Sequence, residues 1–187
     1  METYIAVLRG INVSGHNIIK MDALRKLFED SGYGNVRTYI QSGNVAFTSV
    51  KTAAEKLEKS ISEKILNAFG FDVPVIVRDL KEMRKLIEGN PFLKDAGQDV
   101  KNLYAILLSN EPAKELTGKI PEVPNDSTIY RIKGKTVYLY CPGGYGNTKL
   151  TNVFFEKHLR VTATARNWKT ICELAKIAGD IRTAGVR

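Results

Sequence analysis

Cysteine and histidine are scarce: the 187 residues include only Cys141 and Cys172, His16 and His158. Two thiols cannot build the disulfide framework of a small secreted domain, so the expected location is the reducing cytoplasm. A four-ligand Cys/His metal site would use every one of these residues, so no metal is expected. No run approaches the roughly 18 apolar residues needed to span a bilayer, which excludes a membrane partner of that kind. The opening, METYIAVLRG, reads as a strand and lacks the basic and apolar regions of an export signal. Gly-x-Gly-x-x-Gly is absent, which excludes the dinucleotide fingerprint. Gly10 and Gly15 have phosphate-loop separation, but His16-Asn17 stands where Lys-Ser/Thr would reach phosphate and magnesium. No cofactor is expected.

Acidic residues thin out toward the end. Residues 1–126 carry 17 Lys+Arg and 17 Asp+Glu, whereas residues 127–187 carry 11 Lys+Arg against Glu156, Glu173 and Asp180. The whole net charge of +8 therefore lies in the last third. A concentrated positive field attracts nucleotides, phosphorylated metabolites and nucleic acids, and the bland alternative is a solvated, solubilising surface. Apolar residues at 43% and charged residues at 26% describe a folded chain rather than a disordered one.

Periodicity gives the same element order twice. Residues 3–9 predict a strand, and Met21–Ser31 a helix with Leu24, Leu27 and Phe28 on one face. Residues 35–40 and 44–48 predict a hairpin about Gln41-Ser42-Gly43. Thr52-x-x-Glu55 predicts a capping box at the start of the next helix. Residues 73–78 form a short strand that Pro74 restricts to a sheet edge, and Asp79-x-x-Glu82 opens a brief helix. Residues 91–100 read as a linker. The second half then has a strand at 102–108, a helix from Asn110-Glu111-Pro112, and a hairpin at 128–141 about Gly134. It continues with a helix at Thr148–Leu159, a short strand at 161–164, and a helix capped by Asn167. On that last helix Trp168, Ile171, Cys172, Ala175 and Ala178 mark the core face. The expected fold is α+β: two ferredoxin-like (βαββαβ) subdomains, 1–90 and 101–187, each followed by an extra helix. The repeat is one of element order, since the residues of the two halves do not align by eye.

In that topology strands one and two of each half run parallel, opposite to strands three and four, so two loop clusters form. The first gathers Arg9, Asn12, Asn17, Lys20, Gln41 and Asn44, hydrogen-bonding groups suited to orienting a small polar or phosphorylated metabolite in an enzyme. The alternative is that Asn and Gly serve the turns and Arg9 pairs with an acid. The second follows Pro142-Gly143-Gly144-Tyr145-Gly146-Asn147-Thr148-Lys149 and Ala165-Arg166-Asn167-Trp168. Two helix N-termini, with Thr148, Lys149, Arg166, Asn167, Gly144 and Gly146, predict an anion-binding edge in the basic third. The alternative is that the glycines serve a tight strand-to-helix turn. Lys133-Gly134-Lys135-Thr136-Val137-Tyr138-Leu139-Tyr140 begins like the third strand of an RNA-recognition module, but Lys135 stands where an aromatic should stack. Tyr138 and Tyr140 are expected to be covered by the other half, since an open aromatic face would be an unusual patch. Neither cysteine has a base tied to it by sequence, so nucleophilic catalysis has little support. A third class is an interaction module without a small ligand.

Leu8-Arg9-Gly10-Ile11-Asn12-Val13, Lys20-Met21, residues 37–45 (RTYIQSGNV), Thr148-Lys149-Leu150-Thr151-Asn152 and Thr164-Ala165-Arg166-Asn167-Trp168 together resemble an uncharacterised bacterial family, domain of unknown function 1697. Thr148 stands where serine is frequent in that family, and Ser14 where glycine is frequent. The resemblance covers nearly the whole chain and implies two ferredoxin-like subdomains. It carries no activity, cofactor or catalytic residue.

Overall fold

The computed structural model describes residues 1–94 and 99–184. Its elements are β1 (Glu2–Leu8), α1 (Met21–Asp30), β2 (Gly34–Tyr39), β3 (Asn44–Ser49), α2 (Ala54–Phe69), β4 (Val75–Asp79) and α3 (Leu80–Glu88). After these come β5 (Leu103–Leu108), α4 (Lys114–Thr117), β6 (Ile129–Lys133), β7 (Thr136–Tyr140), α5 (Asn152–Leu159), β8 (Ala163–Asn167) and α6 (Trp168–Ala184). The two sheets have the orders β2-β3-β1-β4 and β6-β7-β5-β8, and every neighbouring pair is antiparallel. The protein is α+β with two ferredoxin-like sheets, each followed by an extra helix, as the element order predicts. The compact units divide elsewhere than at the expected linker. One holds Met1–Lys85 together with residues from Glu173 onward, and the other holds Leu86–Cys172. The expected linker contains a 3-10 turn at Pro91–Lys94, and residues 95–98 of it lie outside the described residues.

In the first unit, alternate residues of each strand enter one core. Tyr4, Ala6 and Leu8 of β1 join Val45 and Phe47 of β3, Val75 and Val77 of β4, Leu24 and Phe28 of α1, and Leu57, Ile61 and Ile65 of α2. The helical members recur at three- and four-residue spacing, which is the stripe a helix needs to cover a sheet. Gly43 closes the turn before β3 at φ 76, where a Cβ would lie 2.7 Å from Ile11 Cδ1 and 2.8 Å from Leu8 Cβ. Only glycine fits there.

The second unit builds its core from Ile106, Leu108, Val137, Leu139 and Cys141 beneath Leu150, Phe155 and Leu159. Its hairpin turn holds Gly134 at φ 53 and connects β6 to β7 through two residues, Lys133 pairing with Thr136.

Both units seal one sheet edge in the same way. The outward N–H of Val77 in β4 donates to Glu58 Oε1 of α2 at 2.8 Å, and Ser62 Oγ of that helix donates to Val73 O at 2.8 Å. In the second unit Ala163 N of β8 donates to Glu156 Oε1 of α5 at 2.9 Å. Each carboxylate satisfies a backbone donor that would otherwise offer an edge for pairing.

Four local expectations change. The Thr52 capping box does not form, because Thr52 N donates to Tyr4 Oη at 2.9 Å and its hydroxyl donates to Val50 O, so α2 starts at Ala54. The helix expected from Asn110 shrinks to the single turn of α4, ahead of Gly118, Pro121 and Pro124. The helix expected from Thr148 starts at Asn152, where Thr151 is the cap and its side chain accepts from Phe154 N. Cys172, expected on the core face of α6, is exposed, while Ile171, Leu174, Ala178 and Ile181 are buried. The Asp79 and Asn167 caps form as expected: Glu82 N donates to Asp79 Oδ1 at 2.7 Å, and Thr170 N to Asn167 Oδ1 at 2.8 Å.

Candidate functional site

The first polar edge assembles, but its amides serve the chain itself. Asn12 sits at φ 54, and its Nδ2 donates to Ile19 O at 2.9 Å and to Gln41 O at 2.8 Å. Its Oδ1 accepts from Ile19 N at 2.8 Å. Asn17, at φ 48, donates through Nδ2 to Gly10 O at 3.2 Å. Asn44 is fully buried, with Nδ2 on Tyr39 O and Ser42 Oγ at 3.0 Å each. Three of the six expected ligand groups are therefore the staples that hold two loops together. Lys20 and Gln41 are exposed, and Arg9 is half-buried.

At the second edge the register brings the ends of β7 and β8 to the same end of the sheet. Tyr140 pairs with Leu103, and Asn167 with the adjacent Tyr104. The expected residues divide between its two faces. Arg166 pairs with Ala105, which pairs with Tyr138, so these three share a face. Lys149 lies in the loop feeding α5, whose Phe155 and Leu159 cover the opposite face with Val137 and Leu139. Arg166 is held by burial below its ordinary pKa, at about 10, and donates through Nη1 to Thr164 Oγ1 at 3.0 Å and Ala165 O at 2.8 Å.

The loop around Lys149 already holds an anion, and it belongs to the chain. Thr148 Oγ1 and Lys149 N each donate to Asp126 Oδ2 at 2.8 Å, and Thr128 N donates to Asp126 Oδ1 at 2.9 Å. Burial raises the Asp126 pKa, but the bonds from Thr128, Lys149 and Thr148 outweigh it and hold the carboxyl well below the usual carboxylate range. A depression of about 230 Å³ lies here, bordered by Asp126, Gly143, Gly144, Asn147, Thr148 and Lys149. Gly146 is exposed beside it.

On the aromatic face of β7, Tyr138 is buried and Tyr140 half-buried. Tyr138 donates to Leu86 O at 2.9 Å with its ring 6.4 Å from that of Trp168, and the Tyr140 ring lies 6.5 Å from that of Phe92. These covering residues belong to the same compact unit as the tyrosines. No platform for stacking bases is left on Tyr138. Cys141 is buried, and its thiol is pushed up to about 11, away from the reactive thiolate.

A larger opening lies on the other side of the second sheet. In the first unit the ten-residue α1 follows the first strand, whereas the corresponding α4 has only four residues. A groove of about 640 Å³ runs where that helix is cut short. One wall is Thr128, Ile129, Tyr130, Arg131 and Ile132, and the other includes Pro112, Lys114 and Thr117. Consecutive strand residues point to opposite faces, so a wall made of five in a row means that the groove follows the edge of β6. The two-residue turn makes Lys133–Thr136 a hydrogen-bonded pair, as are Arg131–Tyr138 and Ile129–Tyr140. Tyr130 and Ile132 consequently turn their N–H and C=O groups outward. Among the described residues no turn or loop backbone bonds to them, and Tyr130 O accepts from the Arg131 side chain, through Nη1 at 2.8 Å. The signals for this groove were Gly118, Pro121 and Pro124 in a stretch without helical periodicity.

Two ferredoxin-like units, the second with a groove along its edge strand β6, define the class of fold. The chain belongs to the family described as protein of unknown function (DUF1697), whose model matches residues 1–138. Its fold is similar to that of the conserved bacterial protein SP0830 from Streptococcus pneumoniae, at a TM-score of 0.69 and 23% identity, over 95% of this chain and 98% of that one. No curated protein matches the chain.

Proposed function

We propose that this protein is an interaction module whose second unit takes up an extended segment of another polypeptide along β6. The observation that carries this reading is the groove of about 640 Å³ running beside outward-turned backbone groups of Tyr130 and Ile132. A strand added to a sheet edge gains affinity from main-chain hydrogen bonds and specificity from alternate side chains. The test is selection of extended peptides from a displayed library, followed by amide exchange on the labelled protein. The expected result is slowed exchange at Tyr130 and Ile132. Proline at position 132 removes an outward donor without touching the β7 ladder, and it should abolish binding while the far-ultraviolet spectrum is kept. Selected peptides that protect other amides, or that bind the folded Ile132→Pro variant unchanged, refute the reading.

A second reading is favoured by the Asp126 contacts. Donors that grip a carboxylate also fit a phosphate oxygen, so a nucleotide, phosphorylated metabolite or nucleic acid would bind at Thr148 and Lys149 by displacing Asp126. Inorganic phosphate titrated into Asp126→Asn should then bind more tightly than to the natural chain, and Lys149→Ala should weaken it. Equal binding by all three proteins removes this site.

A further inference from the structure

We infer that the segment taken up beside β6 alternates acidic with apolar residues and comes from a different protein, an inference that rests on reading the groove as a strand-docking edge. Residues directly opposite each other on paired strands share a face and touch. On β6, Ile129, Arg131 and Lys133 occupy one face and are exposed, while Tyr130 and Ile132 turn to the other and pack against the apolar core. The Tyr130 ring lies 5.3 Å from that of Phe155. An added strand therefore places every second side chain against the two cations and the others against apolar surface beside Tyr130 and Ile132.

Both cations have capacity to spare. Arg131 Nη1 donates to Tyr130 O at 2.8 Å, and Lys133 Nζ to Gly89 O at 2.9 Å, and neither forms an ion pair among the described residues. Glutamates placed opposite them form charge-assisted contacts with groups that now meet only backbone carbonyls. Alternation matters as much as charge. Glu111 and Glu122 also line the groove and outnumber Lys114 on that wall, so a uniformly acidic segment meets a net repulsion there that an alternating one escapes.

The same charges argue against a second copy as the occupant. Two β6 strands related by a two-fold axis, paired over their full length, set Ile129 opposite Lys133 and put Arg131 directly against its own equivalent. Like charges directly opposite are destabilising in a sheet.

The experiment uses the full chain and three seven-residue peptides with blocked ends, alternating valine with glutamate, threonine or lysine. Affinity and contact are read together from amide shifts and amide exchange. The expected result is that all three slow exchange at Tyr130 and Ile132, the glutamate peptide binding about fivefold tighter than the threonine peptide and the lysine peptide weakest. The Arg131→Glu/Lys133→Glu double variant, altered only at exposed positions, should invert that order. If the three peptides protect these amides with equal affinity, the charge rule is overturned while edge docking stands. If none protects them, both fall. Concentration-dependent dimers with Tyr130 and Ile132 protected would make a second copy the occupant and overturn the inference.

Discussion

Replacing Asp126 by asparagine removes one charge and keeps the side-chain shape. The carboxylate accepts at 2.8 Å from Thr148 Oγ1, at 2.8 Å from Lys149 N and at 2.9 Å from Thr128 N, tying the segment before β6 to the loop before α5. Hydrogen bonds to a buried charged acceptor contribute about 1.5–3 kcal/mol each. Asp126 is only half-buried, so water replaces part of that, and the asparagine oxygen still serves one donor. The expected net loss is about 1–2 kcal/mol. For a chain of this length that lowers Tm by about 2–8 °C. The pH dependence follows from the depressed pKa in the folded state. The stability that Asp126 contributes is fully present above the unfolded carboxyl pKa of about 4, and it is lost as pH falls through the folded value. Thermal unfolding of both proteins should therefore show the widest gap at about pH 7 and a narrower one at about pH 3. Other carboxylates titrate in both proteins and cancel in the difference. A gap that stays constant with pH, or no gap at neutral pH, refutes the argument.

Asn12→Ala removes two donor contacts and one acceptor contact with Ile19 and Gln41 and leaves a left-handed backbone at a residue that no longer favours it, so urea unfolding should show a loss of about 2–4 kcal/mol. A variant as stable as the natural chain would return Asn12 to the pool of ligand candidates. A thiol reagent should label one cysteine in the native protein, the exposed Cys172, and reach Cys141 only after unfolding, because burial pushes that thiol up to about 11. Two equivalents of rapid native labelling would contradict this.

The fold was legible because its signals are local. Pro74, immediately ahead of β4, points to the sheet edge that this strand occupies, and Asp79 and Asn167 mark the starts of α3 and α6 through short-range caps. The sites were hidden because their contacts are distant. Asp126 reaches Thr148 and Lys149 across 22 and 23 residues, and no periodicity reports a carboxylate so placed. Thr52 had the spacing of a capping box and lost it to the hydroxyl of Tyr4, which lies 48 residues away. Correspondence between the halves is also visible only through pairing. Tyr4 pairs with Asp79 and Ile5 with Arg78; Tyr104 pairs with Asn167 and Ala105 with Arg166. In each half that arginine donates through Nη1 to the carbonyl of the preceding residue at 2.8 Å. Sequence inspection placed Arg166 beside Lys149 because both end at one rim; which face each one serves is decided by strand register.

The glutamate on Ala163 sets a limit on growth. A fibre of stacked sheets needs two adhesive borders on every subunit, so that each arrival leaves a new one exposed. With Ala163 N engaged by Glu156, β8 offers an incoming strand one backbone donor fewer, so growth of the second sheet past that border is disfavoured.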